Sequence, residues 1–208
     1  MIDIGDRIPD RTVATDGGAT VALFDLVGGR AVIYFYPKDD TPGCTTEAQG
    51  FRDAIADFAA ASVTVIGVSK DGVAKHDRFK AKHNLPFTLI SDADGTLCED
   101  FGTWVEKSMY GRKYFGIDRA TFLVDAGGVV RRVWRKVKVK GHVAEVLEAA
   151  REFRTERLNG PRCASPIILL RSCNSVINGS RRLPSSGLAE TVSPILAWEG
   201  TWPQKSTT

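Results

Sequence analysis

The chain has 208 residues, 43% hydrophobic and 25% charged, the balance of a globular protein with an ample core. A net charge of +3 is too small to argue for nucleic acid or a membrane surface as partner, and no apolar run approaches membrane-spanning length. The excess lies in residues 156–208, where six Lys or Arg face three Glu, so residues 1–155 are neutral.

No basic-plus-apolar segment opens the chain, which leads to an expectation of a cytoplasmic protein. Its four cysteines lack the regular spacing of a disulfide framework. Cys98, Cys163 and Cys173 read as small hydrophobes, whereas Cys44 stands in a different setting.

The first 30 residues are short and turn-punctuated, with Thr20–Leu23 a candidate strand of an N-terminal hairpin. Ala31–Tyr36 is an apolar, β-branched and aromatic run of the length of an interior strand. A proline-bracketed turn follows, and a helix is expected over 44–60, with Phe51, Ile55 and Phe58 along one face. Val63–Ser69 is a second buried strand, and residues 73–83 form a largely polar helix anchored by Phe79. Phe87–Ile90 is a third strand, and a short helix over 96–101 contains Cys98 and Phe101. Residues 102–118 are aromatic and glycine-rich without periodicity, which suits a surface loop packed on a pocket. Thr121–Asp125 and Val129–Trp134 flank a glycine turn as a hairpin. From His142, the residues Val143, Val146, Leu147, Ala150 and Phe153 mark one stripe of a closing helix.

This order argues for an α/β sandwich with a mixed sheet flanked by helices, over residues 1–155. Of the 53 residues in 156–208, 21 are Ser, Thr, Pro or Gly, and no period survives, so this extension is expected to be disordered or loosely docked. Histidines 76 and 83 can share a helix face but lack further ligands nearby, and His142 reads as a helix-start residue, so no metal site is expected. The alternating basic run Arg131–Lys140 reads as a solvated edge strand guarded by lysines.

The chemistry concentrates at the strand-to-helix junction Tyr34-Phe35-Tyr36-Pro37-Lys38-Asp39-Asp40-Thr41-Pro42-Gly43-Cys44-Thr45-Thr46-Glu47. A thiol in the first turn of a helix meets unpaired N–H groups and the positive end of the dipole, which favour the ionised thiolate. Thr41, three residues earlier, is close enough for its hydroxyl to reach a thiolate or a bound oxygen.

In its Pro37-x-x-x-Thr41-x-x-Cys44 arrangement the chain resembles the peroxiredoxins, and the wording around it resembles their bacterioferritin-comigratory, or Q-type, branch. The likeness extends over residues 1–153 and includes Leu89-Ile90-Ser91-Asp92 and Gly116–Asp125. It implies a thioredoxin-like fold and reduction of hydrogen peroxide or organic hydroperoxides, without metal or prosthetic group. Carried over residue by residue, it makes Cys44 the nucleophile that becomes a sulfenic acid. Thr41 then bonds the peroxide oxygens, the N–H groups of Gly43 and Cys44 hold the nearer oxygen, and Pro37 shields the sulfur from water. Arg119 matches the family's active-site arginine, which keeps the thiolate charged, and Glu47 supports the arginine or caps the helix.

The chain departs from that pattern at the resolving cysteine. Where many members carry it five residues after the first, this chain has Gln49, and residues 73–83 contain none. A one-cysteine cycle is therefore expected, with thioredoxin, glutaredoxin or a small thiol as reductant. Cys98 is the alternative resolving partner, and Cys163 or Cys173 could serve only if the extension folds back. The resemblance suggests a monomer, with a dimer as the alternative. A thiol–disulfide oxidoreductase is disfavoured because Thr45, Thr46 and Glu47 fill the places of its second cysteine. A redox-sensing or holdase role on the same fold is the non-enzymatic rival.

Overall fold

The computed structural model describes residues 1–109 and 112–159. Residues 160–208 of the expected extension, with Cys163 and Cys173, lie outside the described residues. Strands β1 (Thr12–Thr15), β2 (Thr20–Ala22), β3 (Arg30–Phe35), β4 (Val63–Ser69), β5 (Thr88–Ser91), β8 (Ala120–Val124) and β9 (Val130–Arg135) form one sheet. Its order is β2-β1-β5-β4-β3-β8-β9. The three central strands β3, β4 and β5 are parallel, while β1, β2, β8 and β9 join antiparallel, so the sheet is mixed as expected.

Strand β3 shows why the sequence run had no polar face. Val32, Tyr34 and Tyr36 enter one apolar core, and Ala31, Ile33 and Phe35 enter another on the opposite face of the sheet. The first core is closed by α2 (Pro42–Asp53), α3 (Ile55–Ala60), α4 (Val73–His83) and α6 (His142–Asn159), through Phe51, Phe58, Phe79 and Val146. The second is closed by α1 (Leu23–Val27) and α5 (Thr96–Asp100), through Leu23, Leu97 and Cys98. At the centre of the sheet Tyr34 pairs with Gly67, and a Cβ on Gly67 would lie 2.8 Å from the Tyr34 hydroxyl. Only glycine leaves that ring its place.

Four expectations require correction. The helix expected over 44–60 is two helices, broken at Ala54, whose ψ of 4° leaves the helical region with no Gly or Pro to announce it. Residues 102–118 are an antiparallel ribbon of β6 (Trp104–Met109) and β7 (Arg112–Ile117) rather than a loop. Its strands carry mixed charges and hold together by cross-strand pairs, Trp104 on Phe115 and Glu106 with Lys113, rather than by an apolar stripe. The basic edge strand ends at Arg135, because Lys136 takes a left-handed φ of 51°, and the remaining lysines lie on a loop. The closing helix runs on to Asn159, past the expected boundary at residue 155. Among the described residues no helix is long and apolar enough to cross a membrane.

Candidate active site

The parallel strand β3 delivers the chain to one end of the sheet, and the turn 37–41 redirects it into α2. Thr41 is the N-cap with extended backbone, and Pro42 occupies the first helical position, where its missing N–H costs nothing. Gly43 and Cys44 follow as the second and third helical residues, so both N–H groups belong to the set a helix leaves without internal partners. Cys44 is 2% exposed and packs in the core cluster of Tyr34, Tyr36, Ala48 and Phe51.

Arg119 reaches this place from 75 residues away. It immediately precedes β8, whose Ala120 pairs antiparallel with Phe35 at the end of β3, so the sheet register sets Arg119 beside the start of α2. Its carbonyl accepts from the N–H of Val137, which pins the backbone. The guanidinium divides its donors: Nη2 donates to Cys44 Sγ at 3.2 Å, and Nη1 donates to Glu47 Oε2. Burial alone would lower its pKa, but the charges and bonds of Glu47 and Cys44 outweigh it and hold the pKa above the ordinary value. The arginine is a fixed cation against the sulfur.

Glu47 lies one turn along α2 and is fully buried. Burial pushes its carboxyl up to about 7, against the opposing pull of Arg119. Its Oε1 and the Tyr34 hydroxyl are buried without a hydrogen-bond partner among the described residues. Tyr34 stays protonated, raised well above its usual value by burial and by Glu47. Behind them His142, buried at the start of α6, faces Thr121 Oγ1 through Nε2 at 2.8 Å and is lowered to about 4, mainly by burial. It is a neutral packing residue at neutral pH.

The Glu47 shift makes a stability prediction. An unfolded glutamate loses its proton near pH 4.5, and the folded one near pH 7, so the folded chain holds the extra proton between those values. The stabilisation is complete below pH 4.5 and is lost as pH rises through about 7, on the order of 3 kcal/mol in all. Glu47→Gln is expected to remove this slope, so the melting temperatures of variant and wild type should diverge between about pH 5 and about pH 8. Parallel curves would contradict it. His142 titrates with the opposite sign, losing stability as pH falls from 6.5 through about 4, and cancels in the comparison.

The other expected residues are placed as follows. The Thr41 hydroxyl donates to the Lys38 carbonyl at 3.1 Å, which leaves its oxygen lone pairs as acceptors. Pro37 is exposed at the bend after β3, and the burial of Cys44 comes with its place in the apolar cluster beneath. Gly43 sits under the arginine, where a Cβ would lie 3.5 Å from Nη2. Cys98 is fully buried in the core on the opposite face of the sheet from Cys44, and its thiol is raised, first by burial and then by Asp92. Gln49 faces His83 Nδ1 at 3.4 Å. Among the described residues no three potential ligands gather for a metal ion. His76, read from the sequence as part of a polar helix face, is fully buried against Asp39.

The sequence pattern of the AhpC/TSA family matches residues 4–133. The chain belongs to that family. It is 50% identical over 152 residues to peroxiredoxin Bcp of Bacillus subtilis, covering 73% of this chain and 97% of that one. A bcp-type peroxiredoxin sequence of Coxiella burnetii is 55% identical over 146 residues, covering 70% and 97%. Among solved structures, the bacterioferritin comigratory protein of Xanthomonas campestris, studied for alkyl peroxide reduction, superposes with a TM-score of 0.69 at 42% identity. The match covers 74% of this chain and 98% of that one. The protein is thus a peroxiredoxin of thioredoxin-like fold, a thiol peroxidase whose substrate is a peroxide and whose electrons come from a thiol.

Proposed function

We propose that Cys44 is the peroxidatic cysteine of this peroxiredoxin and that it works in a one-cysteine cycle. The observation that carries the assignment is the contact of Arg119 Nη2 with Sγ at 3.2 Å, at the third residue of α2. A guanidinium and the open end of a helix both turn positive charge toward the sulfur, and the thiolate is the nucleophile. It attacks the nearer peroxide oxygen: an S–O bond forms, the O–O bond breaks, and sulfur loses two electrons to give the sulfenic acid. The leaving alkoxide, or hydroxide, takes up one proton and departs as alcohol or water. Arg119 remains as the cation facing the charge that moves from sulfur to the leaving oxygen. The Thr41 oxygen accepts from the peroxide O–H, and the N–H groups of Gly43 and Cys44 hold the nearer oxygen.

The opposite placement of Cys44 and Cys98 supports an outside reductant. A disulfide between them would have to pass through the seven-stranded sheet, and the Cys98 thiol is held protonated. One thiol of thioredoxin, glutaredoxin or a small thiol then displaces water from the sulfenic acid, and a second thiol frees Cys44 by thiol–disulfide exchange. An outside thiol is what such a cycle consumes, and a reducing cytoplasm supplies one. A monomer is the simplest working state, because Cys44, Arg119, Glu47 and Thr41 all come from one chain.

Steady-state peroxide consumption with thioredoxin, and separately with dithiothreitol, tests the cycle. Cys98→Ser is expected to turn over like wild type with both reductants. Loss of turnover in Cys98→Ser, with a normal first oxidation, would contradict the one-cysteine cycle.

A further inference from the structure

The residue with the least expected placement is His76. It lies on α4, a helix with polar residues on most of its surface, yet its side chain is fully buried. Its Nδ1 faces Asp39 Oδ2 at 2.8 Å, and its Nε2 faces the carbonyl oxygen of Ile90 at 3.2 Å. A carbonyl only accepts, so Nε2 carries a hydrogen, and one further proton is shared between Nδ1 and the carboxyl. Asp39 is equally buried and fully engaged. Its Oδ1 accepts from the Tyr36 hydroxyl at 2.7 Å, and its own N–H donates to Asp71 Oδ2 at 2.6 Å. Asp71 is fixed in turn by Lys75 Nζ at 2.8 Å and by Ser69 Oγ at 3.1 Å.

Asp39 is a residue of the turn that carries Thr41 and opens α2. The next residue, Asp40, has a left-handed φ of 59° and is tied to the far end of α4 by Lys82 Nζ at 2.9 Å and His83 Nε2 at 3.1 Å. The turn is therefore held at its root by a buried polar knot and at its tip by surface pairs, both on α4. The Lys82 pair is exposed and weak. The knot is buried, so leaving one member unpartnered is costly and its geometry is specified.

We propose that His76 is a positioning residue for peroxide reduction. Acting through Asp39, it sets turn 37–41 so that the Thr41 hydroxyl and the first N–H groups of α2 converge on the sulfur of Cys44. The proposal rests on Cys44 as the reacting residue. A misplacement of about 1 Å in such groups costs on the order of 100-fold in rate, so His76→Phe is expected to react about 10- to 100-fold more slowly.

The test is the second-order rate of the reduced protein with hydrogen peroxide, beside the melting temperature, for five proteins. They are wild type, Cys44→Ser, His76→Phe, His76→Asn and Val63→Ala. Asparagine keeps a donor at the Nδ1 position, and Val63→Ala loosens the same core at the start of β4, away from the turn. The expected result is a slow His76→Phe, recovery of most of the rate in His76→Asn, and a wild-type rate in Val63→Ala despite its lower melting temperature. Where His76→Phe does not fold, Asp39→Ala, which cuts His76 off from the turn, carries the same expectation of a slow reaction. A wild-type rate in His76→Phe or Asp39→Ala overturns the proposal, as does an equal loss in Val63→Ala, or a His76→Asn as slow as His76→Phe. Undiminished reaction in Cys44→Ser would instead overturn the assignment of the reacting cysteine.

Discussion

Cys44→Ser is expected to slow peroxide reduction by about 10⁴-fold or more, the scale on which loss of a covalent nucleophile is felt. The oxygen of a serine is close in size to the sulfur and would still receive the Arg119 donor, so the site should keep its form. What disappears is the ionised nucleophile, because a hydroxyl stays protonated where a thiol can ionise. The check is stopped-flow peroxide consumption by the reduced protein, with the melting temperature measured beside it. A variant that remains folded and retains more than about a hundredth of the wild-type rate would contradict the assignment.

Arg119→Met is expected to lower the same rate constant by about 10²- to 10³-fold, the cost of removing one preorganised donor from a charge-shifting step. Methionine keeps much of the aliphatic bulk but neither donor, so it also leaves Glu47 buried without its cation. That second loss favours the protonated carboxyl, and the pH at which Glu47 titrates should rise further above about 7. Arg119→Lys should fall between the two in rate, because one ammonium cannot reproduce the planar fork that serves Sγ and Oε2 together. Equal rates for Arg119→Met and wild type would show that the arginine only packs.

The sequence made the centre of the sheet legible because its strands are buried on both faces. Ala31–Tyr36 and Val63–Ser69 read as continuous apolar runs, and β3 and β4 stand there side by side. It showed the Cys44 junction for a local reason, since two prolines and a change of period mark a strand passing into a helix. Arg119 was different. Its spacing of 75 residues from Cys44 carries no local signal, and only likeness to a family pointed to it; the β3–β8 register supplies the physical cause. The β6–β7 ribbon was illegible because single cross-strand pairs, Trp104 on Phe115 and Glu106 with Lys113, take the place of a regular apolar alternation. The Asp39–His76 pair was hidden for the opposite reason. Two polar residues in a turn and on a polar helix look solvated, and only the packing of α4 against β5 removes them from water. Glu47 gave half a signal: its position one turn after Cys44 suggested support for the arginine, but not the burial that raises its carboxyl.

The most direct test of a one-cysteine peroxidase centred on Cys44 is the intact mass of the reduced, full-length protein after one equivalent of hydrogen peroxide. The expected product is the protein plus one oxygen, absent in Cys44→Ser and unchanged in Cys98→Ser. Loss of two hydrogens in place of that gain would mean an internal disulfide, and would contradict the one-cysteine cycle.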